Sequence, residues 1–505
     1  MVTIRSIMKK CTKTNKTFYL VCACLSVFYF AVMLRIGGKI SLWADEIAQV
    51  GYINKGLSFG EILWVYLKTE VTNLPFFPLV AALWYRIAPW GEKSLYLITE
   101  IPVALGVFFL GLTGKEWRNE RTGYFSAAFA AISFVLLKDV ALNFRAYSFT
   151  FFFAVLMIYF YCRRFRHTGS ETRRGIFELG IVMTLFAYSN YFSCILIVGF
   201  FVCDVILFLQ KKIKLQCVIS YVMSGVLLAP WFILMLIYKE RTLAEFWPKP
   251  PTLISIPELL KYLVSDDEVI FAFLILSMVF VCVKAFLSWE KKEFSVKENG
   301  LSLIWLFGIW FTIIIVFIYS AKINPMGGIF VKRYFMTILP LIFLCMSFLL
   351  DSIVQGLLAD ESKRRVCTVT ILGFLFCYFG LMNYYEAREV KAVPKNPYRE
   401  CAQWLSEQDG IYEDSSLVLL WEPQYYFEGF REYYVAHYCD TSRMQMIGYA
   451  DDQWKKVLDQ YDRVYLICGS SEPDEEALKS FEGYSVSEKN QELNCVIYTK
   501  TELEE

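Results

Sequence analysis

Long apolar blocks separated by short polar gaps are the dominant pattern along this chain. A block of about 18 or more residues with few charges is long enough to cross a bilayer core of about 30 Å. Blocks of this kind predict membrane helices at about 18–36, 76–90, 95–113, 123–138, 147–162, 176–190, 192–209, 215–238, 269–287, 301–320, 334–351 and 366–382. The pattern therefore predicts a mainly α-helical protein that crosses the membrane many times.

Basic residues indicate how these helices are oriented, because cytoplasmic loops of membrane proteins carry an excess of Lys and Arg. Six segments hold 22 Lys and Arg, namely the N-terminus, 115–121, 163–174, 211–214, 291–297 and 363–365. The other connections hold only 11, although they are longer in total, and include 37–74, 139–146, 239–268 and 321–333. We expect a cytoplasmic N-terminus, and we expect this second set and the segment after residue 382 to lie outside.

The number of crossings depends on two neighbouring blocks. Segments 76–90 and 95–113 read as two helices, yet the orientation requires them to cross once or three times. We therefore expect 11 to 13 crossings in residues 1–390. In the external loop 37–74, apolar residues between Leu57 and Leu67 recur at helical spacing, which predicts an amphipathic helix lying in the interface.

The C-terminal segment 395–505 differs in composition from the rest of the chain. It carries 10 Lys and Arg against 23 Asp and Glu, whereas residues 1–394 carry 40 against 26. Short β-prone runs at 417–421, 464–468 and 496–499 alternate with helical stretches. This alternation predicts a small acidic α/β domain, which we expect to be extracytoplasmic.

Residue usage excludes several other classes of protein. The chain is 56% hydrophobic, above the 45–50% that is typical of soluble domains. It has only two His and no CxxC pair with zinc-ligand spacing among its 15 Cys, so a multi-histidine metal site is excluded. It contains no glycine-rich nucleotide-binding loop, and we expect no nucleic-acid partner.

Asp45 and Glu46 form an acidic pair a few residues past the first membrane helix. Desolvation at a bilayer surface and mutual repulsion raise carboxylate pKa values, which suits a general base. An ordinary acidic pair in a solvated loop is the simpler interpretation of position alone.

Three cations are predicted on the same external side. Arg145 lies in a short external connection. Its guanidinium fork suits phosphate binding, and a snorkelling arginine at a helix end is an equally good interpretation. Lys332 and Arg333 end the segment 321–333 against the positive-inside tendency, and either a bound phosphate or a lipid headgroup would hold them there. Nearby, Tyr191 belongs to a polar–aromatic turn, and Asn73 precedes a Pro-containing helix start; both also have purely structural interpretations.

Several of these segments together resemble one family, the GT-C glycosyltransferases of the protein O-mannosyltransferase and aminoarabinose-transferase type. The similarity covers roughly residues 15–390. It rests on the order, spacing and shared side of Trp43-Ala44-Asp45-Glu46, Leu74-Pro75-Phe76-Phe77, the Arg145 segment Leu142–Phe149, and Arg333-Tyr334-Phe335 with Pro340.

The resemblance implies transfer of a sugar from a polyprenyl-phosphate donor to an acceptor hydroxyl outside the cytoplasm, with inversion at the anomeric carbon. Asp45, supported by Glu46, would be the catalytic carboxylate. The donor phosphate would be bound by Arg145, Lys332 and Arg333. Substrate contacts would come from Tyr147, Asn73, Tyr191 and Tyr334. The acceptor would be a protein or an envelope glycan or lipid.

The sequence departs from the family pattern at two places, so not every functional residue of the family has a counterpart in this chain. Thr72-Asn73-Leu74 replaces the His or acidic residue that often precedes the first proline, and the Glu before the Arg segment is absent. No metal ligand is therefore assigned, and a divalent cation is left open. The alternative function is a transporter or flippase of lipid-linked saccharides, which would be expected to place charges near mid-membrane and to show internal symmetry.

Overall fold

The protein is described here by a computed structural model covering residues 13–501, apart from short gaps. The gaps are residues 55, 70–73, 89, 167–172, 239–248, 292–294, 296–298, 324–327, 393–396, 423, 450–452 and 469–472. Asn73, one of the predicted substrate contacts, lies outside the described residues.

The chain folds into two compact units. The membrane unit comprises the described residues within Met1–Ile36, Tyr66–Phe77 and Tyr96–Ala387. The sheet unit comprises those within Gly37–Val65, Pro78–Leu95 and Arg388–Glu505. The acidic pair and most of the first predicted external loop therefore share a unit with the C-terminal segment.

Helices account for most of the chain before residue 393. In chain order they are α1 Lys13–Gly37, α2 Ala44–Asn54, α3 Phe59–Thr69, α4 Phe76–Ile87, α5 Glu92–Trp117, α6 Glu120–Ile132, α7 Tyr147–Arg166, α8 Arg173–Ser189, α9 Tyr191–Leu209, α10 Ile219–Tyr238, α11 Ser255–Leu263, α12 Glu268–Glu290, α13 Leu301–Ile318, α14 Leu339–Leu357 and α15 Glu361–Ala392. Short 3₁₀ or π segments are Leu136–Ala141, Leu215–Val218, Tyr319–Ile323 and Lys332–Ile338.

Eight of the described helical segments are long and apolar enough to cross a membrane. They are Lys16–Gly37, Glu92–Trp117, Tyr147–Phe165, Tyr191–Leu209, Ile219–Ile237, Glu268–Glu290, Leu301–Ile323 and Lys332–Leu357. The prediction of a multi-pass membrane protein is thereby confirmed. The total of 11 to 13 crossings stays a prediction, because the structure describes only part of the chain.

Segments 76–90 and 95–113, which read as two helices but must cross the membrane an odd number of times, form helices of very different length. Helix α4 has 12 residues, which span about 18 Å and are too few to cross a bilayer core. Helix α5 has 26 residues and is long enough to cross alone. Gly91, at φ +121°, lies in the turn between them, a conformation that favours glycine. With α5 as the single crossing, the two segments together cross once, as the orientation requires.

Two fully buried carboxylates tie helices of the membrane unit together. Asp204 accepts hydrogen bonds from Arg164 Nη2 at 2.7 and 2.8 Å and from the hydroxyls of Tyr161 and Tyr221 at 2.7 and 2.8 Å. Asp351 is bound in a similar way by Arg118 and Asn119 of the α5–α6 connection and by Arg121 in the first turn of α6. Since buried charges require pairing and hydrogen bonds, these carboxylates are structural.

The sheet unit contains a mixed five-stranded sheet that confirms the predicted small α/β domain. Its strands are β1 Ser416–Leu420, β2 Gln445–Gly448, β3 Arg463–Ile467, β4 Tyr484–Asn490 and β5 Cys495–Lys500, in the order β2-β1-β3-β5-β4. Strands β1, β2 and β3 are parallel, whereas β5 pairs antiparallel with β3 and β4.

Short helical segments complete the sheet unit. They are α16 Tyr398–Ser406, α17 Gln424–Gly429, the π segment Phe430–Val435, α18 Ala436–Tyr438, the 3₁₀ turn Thr441–Arg443, α19 Trp454–Val457, the 3₁₀ turn Leu458–Gln460 and α20 Glu475–Lys479. One face of the sheet buries an apolar core that includes Leu417, Leu419, Trp454, Val464 and Phe481. Area burial of this kind supplies most of the stability of such a domain.

Helix α2 packs against α17 and the π segment that follows it within the sheet unit. The closest approach is at Gly429, where a Cβ atom would collide with the backbone carbonyl of Ile47 and lie 3.3 Å from the amide nitrogen of Gly51. Because backbone atoms cannot move aside as a flexible side chain can, the absence of a side chain at Gly429 sets the position of α2.

Gly429→Ala is expected to lower the free energy of unfolding by about 1–3 kcal/mol, because it overpacks the contact with α2. Thermal unfolding of the detergent-solubilised protein measures the effect. Gly60→Ala in α3 is the matched control, since its Cβ would meet only Ser58 Oγ at 4.0 Å. Equal unfolding temperatures for the two variants would contradict the close approach.

Candidate active site

The acidic pair lies in the first turn of α2, in the sheet unit. Trp43 is the residue just before the helix, and its N–H donates to Glu46 Oε2 at 3.0 Å. This is the side-chain half of a capping box, in which the third helical residue reaches back to the N-cap amide. Glu46 is fully buried, whereas Asp45 is half-buried. The geometry gives Glu46 a role in fixing the helix start and leaves Asp45 as the more accessible carboxylate.

Glu46→Ala is expected to lower the free energy of unfolding by about 0.5–2 kcal/mol, because the Trp43 amide loses the Glu46 carboxylate as its acceptor. Glu46→Gln keeps a side-chain oxygen that can accept from the same amide, so its unfolding temperature should stay close to that of the wild type. Thermal unfolding of both variants provides the comparison. If both variants lose the same stability, the hydrogen bond to the Trp43 amide is not what Glu46 contributes to stability.

In the membrane unit, Arg145 lies between the π segment Leu136–Ala141 and the start of α7. The Arg145 amide donates to the Asn143 carbonyl at 2.7 Å, which makes a tight local turn. The Arg145 side chain is half-buried. The predicted external connection is therefore a compact turn that presents one arginine.

Three segments predicted to contact substrate meet at Tyr334. The ring of Tyr147, at the start of α7, lies 6.3 Å from that of Tyr334. Phe192, next to Tyr191 at the start of α9, packs edge-on against Tyr334 at 5.8 Å. The Arg333 guanidinium lies 5.9 Å from the centre of the Tyr334 ring. The structure thus brings Tyr147, Tyr334 and Arg333 together, with Tyr191 one residue from the junction.

Tyr191 itself has a defined partner. Its hydroxyl accepts a hydrogen bond from Trp231 Nε1 at 3.1 Å, and the preceding residue, Asn190, caps α9 through its side-chain oxygen. Asn190 and Tyr191 therefore already have structural roles at this helix start, and a substrate contact would be additional.

Lys332 pairs with a residue that the sequence did not indicate. Its Nζ lies 3.6 Å from Glu258 Oε2 on α11, and the side chains are 43% and 53% exposed. Exposed ion pairs of this kind contribute about 0–1 kcal/mol, so an anionic ligand could displace Glu258 at little cost.

Tyr262, which feels the charge of Arg333, and its hydrogen-bond partner Asp139 are two further polar residues that sequence reasoning missed. Burial, then the charge of Asp139 and the hydrogen bond to its carboxylate, raises the pKa of Tyr262, and the positive charge of Arg333 lowers it. Tyr262 therefore remains protonated at neutral pH and donates to Asp139. Residues 139 and 262 are too far apart in sequence for any local pattern to have indicated this contact.

Buried polar atoms recur on the three segments that meet at Tyr334. Asn143 Oδ1, Ser148 Oγ, Ser193 Oγ and Thr337 Oγ1 have no hydrogen-bond partner among the described residues. Most buried polar groups in proteins are hydrogen-bonded to protein or ordered water. These four atoms therefore give this part of the membrane unit unused capacity for polar groups such as sugar hydroxyls or water.

The structure also bears on the divalent cation that the sequence left open. In the part of the chain that the structure describes, no group of three or more His, Cys, Asp or Glu side chains is arranged to hold a metal ion. The predicted site residues that the structure describes are carboxylates, arginines, one lysine and tyrosines.

No family model and no curated protein sequence matches this chain. Solved structures do match. ArnT from Cupriavidus metallidurans in the apo state is 12% identical, with 97% of this chain and 99% of ArnT covered and a TM-score of 0.58. The structure of the same protein bound to undecaprenyl phosphate gives a TM-score of 0.56.

A second protein has the same architecture. The archaeal oligosaccharyltransferase AglB from Archaeoglobus fulgidus, in complex with an inhibitory peptide and a dolichol-phosphate, is 13% identical over 90% of this chain and 69% of AglB, with a TM-score of 0.51. At these identities the likeness shows the fold. The chain is a multi-pass membrane protein with the GT-C fold that ArnT and AglB share.

Proposed function

We propose that this chain is a membrane glycosyltransferase that moves a sugar from a polyprenyl-phosphate donor to an acceptor hydroxyl. The observation that carries the proposal is the match in fold over nearly the full length of ArnT, a protein also seen bound to undecaprenyl phosphate. AglB, which has the same fold, is seen with a dolichol-phosphate. Both ligands are phosphates of long isoprenoid alcohols, the carrier class that the sequence resemblance implies.

Asp45 is proposed as the general base. It would accept the proton of the acceptor hydroxyl as the oxygen attacks the anomeric carbon, and the bond from that carbon to the phosphate oxygen would break. Polyprenyl phosphate then leaves, and a single displacement inverts the configuration. Glu46 would support the reaction by fixing the first turn of α2, in keeping with its contact to Trp43.

Arg145, Lys332 and Arg333 are proposed to bind the donor phosphate. Guanidinium groups suit this task because their donors form a rigid fork that matches phosphate oxygens, and because charge builds up on the leaving group. Tyr147, Tyr191 and Tyr334, together with Asn73, are proposed to contact the substrate. The convergence of two of these tyrosines beside Arg333 supports this assignment.

The reaction is proposed to take place outside the cytoplasm, with the N-terminus inside and the sheet unit outside. The asymmetry of Lys and Arg between the two sets of loops supports this orientation. A lipid-linked donor fits such a location, because nucleotide sugars are made and kept in the cytoplasm. The acceptor would be a protein or an envelope glycan or lipid.

A flippase of lipid-linked saccharides is the competing function, and the fate of the sugar separates the two. Proteoliposomes containing purified protein and a polyprenyl phosphate with a radiolabelled sugar are incubated with candidate acceptors. A glycosyltransferase moves the label from the lipid fraction to the acceptor. Label that changes leaflet while remaining on the lipid would establish the flippase instead.

A further inference from the structure

A buried tyrosine hydroxyl holds the segment that leads into Asp45. Tyr434, in the π segment Phe430–Val435 of the sheet unit, is fully buried. Its hydroxyl oxygen accepts from the Leu42 backbone N–H at 2.9 Å and from Ser41 Oγ at 3.3 Å. A single side chain from the C-terminal part of the chain thus binds the two residues that precede Trp43.

The Tyr434 hydroxyl is itself fixed by a buried carboxylate. It donates to Glu92 Oε1 at 2.9 Å, so the one donor and both acceptor positions of the hydroxyl are used. Arg399 Nη1 lies 3.2 Å from the same oxygen and neutralises it. Burial and the Glu92 charge raise the pKa of Tyr434, so the hydroxyl keeps the proton that it donates.

Arg399 adds a second attachment to the same segment. Its backbone N–H donates to Ser41 Oγ at 3.2 Å, and its guanidinium reaches the Lys39 carbonyl at 3.4 Å. At the other end, Glu46 binds the Trp43 amide. Between Lys39 and Trp43 the chain is therefore held at the Lys39 carbonyl, the Ser41 side chain and the Leu42 and Trp43 amides before it reaches Asp45.

We propose that Tyr434, together with Glu92 and Arg399, is a positioning residue that sets the location of the Asp45 carboxylate. This inference rests on the proposed role of Asp45 as the base. Tyr434 is fully buried, so it acts through the backbone and does not touch the substrate. A catalytic group displaced by about 1 Å can cost up to about 10²-fold in rate, which gives the contact a measurable consequence.

Tyr434→Phe removes the hydroxyl while keeping the ring, and it tests the proposal in the full-length protein in nanodiscs. We expect kcat for sugar transfer to fall about 10- to 100-fold while the KM for the donor stays unchanged. Tyr398→Phe is the matched control: Tyr398 is also fully buried and donates to a buried carboxylate, Glu422, at 3.0 Å. It should lose comparable stability and keep the wild-type kcat.

Hydrogen–deuterium exchange supplies a measurement that does not depend on activity. Peptides containing Leu42 and Trp43 should exchange faster in Tyr434→Phe than in the wild type, and at the wild-type rate in Tyr398→Phe. Unchanged exchange in Tyr434→Phe overturns the positioning role, and so does faster exchange with an unaltered kcat. An equal fall in kcat for the two variants would assign the effect to stability alone. If instead the Asp45→Asn protein keeps full activity, the proposed role of Asp45 as the base is wrong.

Discussion

Asp45→Asn is expected to reduce kcat for sugar transfer by about 10²- to 10⁴-fold, the range that a positioned general base contributes. Asparagine has nearly the same size and can still accept hydrogen bonds, but it cannot take a proton from the acceptor hydroxyl. The KM for the donor should change little, because the cations bind the donor phosphate. The measurement is the initial rate of label transfer from a polyprenyl-phosphate sugar to the acceptor.

Glu61→Gln provides the control for this variant. Glu61 is an acidic residue of the same predicted loop, and its carboxylate accepts from the Ser58 amide and hydroxyl at 2.7 Å. Glutamine can maintain such a capping contact, so transfer should continue at the wild-type rate. Wild-type kcat in Asp45→Asn would remove Asp45 from the mechanism.

Arg333→Ala is expected to have the second largest effect, with a loss of about 10²- to 10³-fold in kcat/KM. The guanidinium is proposed to bind the donor phosphate and to stabilise the charge that develops as it leaves, and removal of one such group typically costs this much. Arg333→Lys should recover only part of the loss, because an ammonium lacks the planar fork. Steady-state kinetics with varied donor concentration measure both variants.

Two further variants calibrate this result. Lys332→Ala should lower kcat/KM less than Arg333→Ala, because the Lys332 side chain is half-exposed and already forms an ion pair with Glu258. Lys322→Ala removes an exposed cation of the same predicted external segment and should leave transfer unchanged. If all three variants lose activity equally, the effect reflects the net charge of the segment, and the specific role of Arg333 is wrong.

The parts of the fold that could be predicted are those with a strong local signal. Strand β1 is a run of five buried residues, and the predicted strand 417–421 differs from it by one residue at each end. Strand β4 was missed because most of its residues are polar and exposed, so it lacks an apolar run. The block 76–90 was predicted as a membrane helix on composition, although α4 ends at Ile87 after only 12 residues.

The network around the acidic pair could not have been predicted from local patterns. Tyr434 and Glu92 are 342 residues apart in sequence, and Arg399 and Glu92 are 307 apart. Nothing near Tyr434 in the sequence indicates that its hydroxyl binds Leu42, because the contact exists only once the C-terminal segment has folded onto the first loop. The resemblance implied that Asp45 is the catalytic carboxylate and Glu46 its support, and the contact of Glu46 with the Trp43 amide gives a physical form to that supporting role.

An isotope experiment tests most directly whether the sugar is transferred by attack on the anomeric carbon with phosphate as the leaving group. The donor is prepared with ¹⁸O in the oxygen that bridges the anomeric carbon and phosphorus. Purified protein in nanodiscs is given this donor and an acceptor, and both products are analysed by mass spectrometry. The proposed mechanism predicts that all of the ¹⁸O is found in the released polyprenyl phosphate. Recovery of ¹⁸O with the sugar would show that phosphorus is attacked instead and would contradict the account.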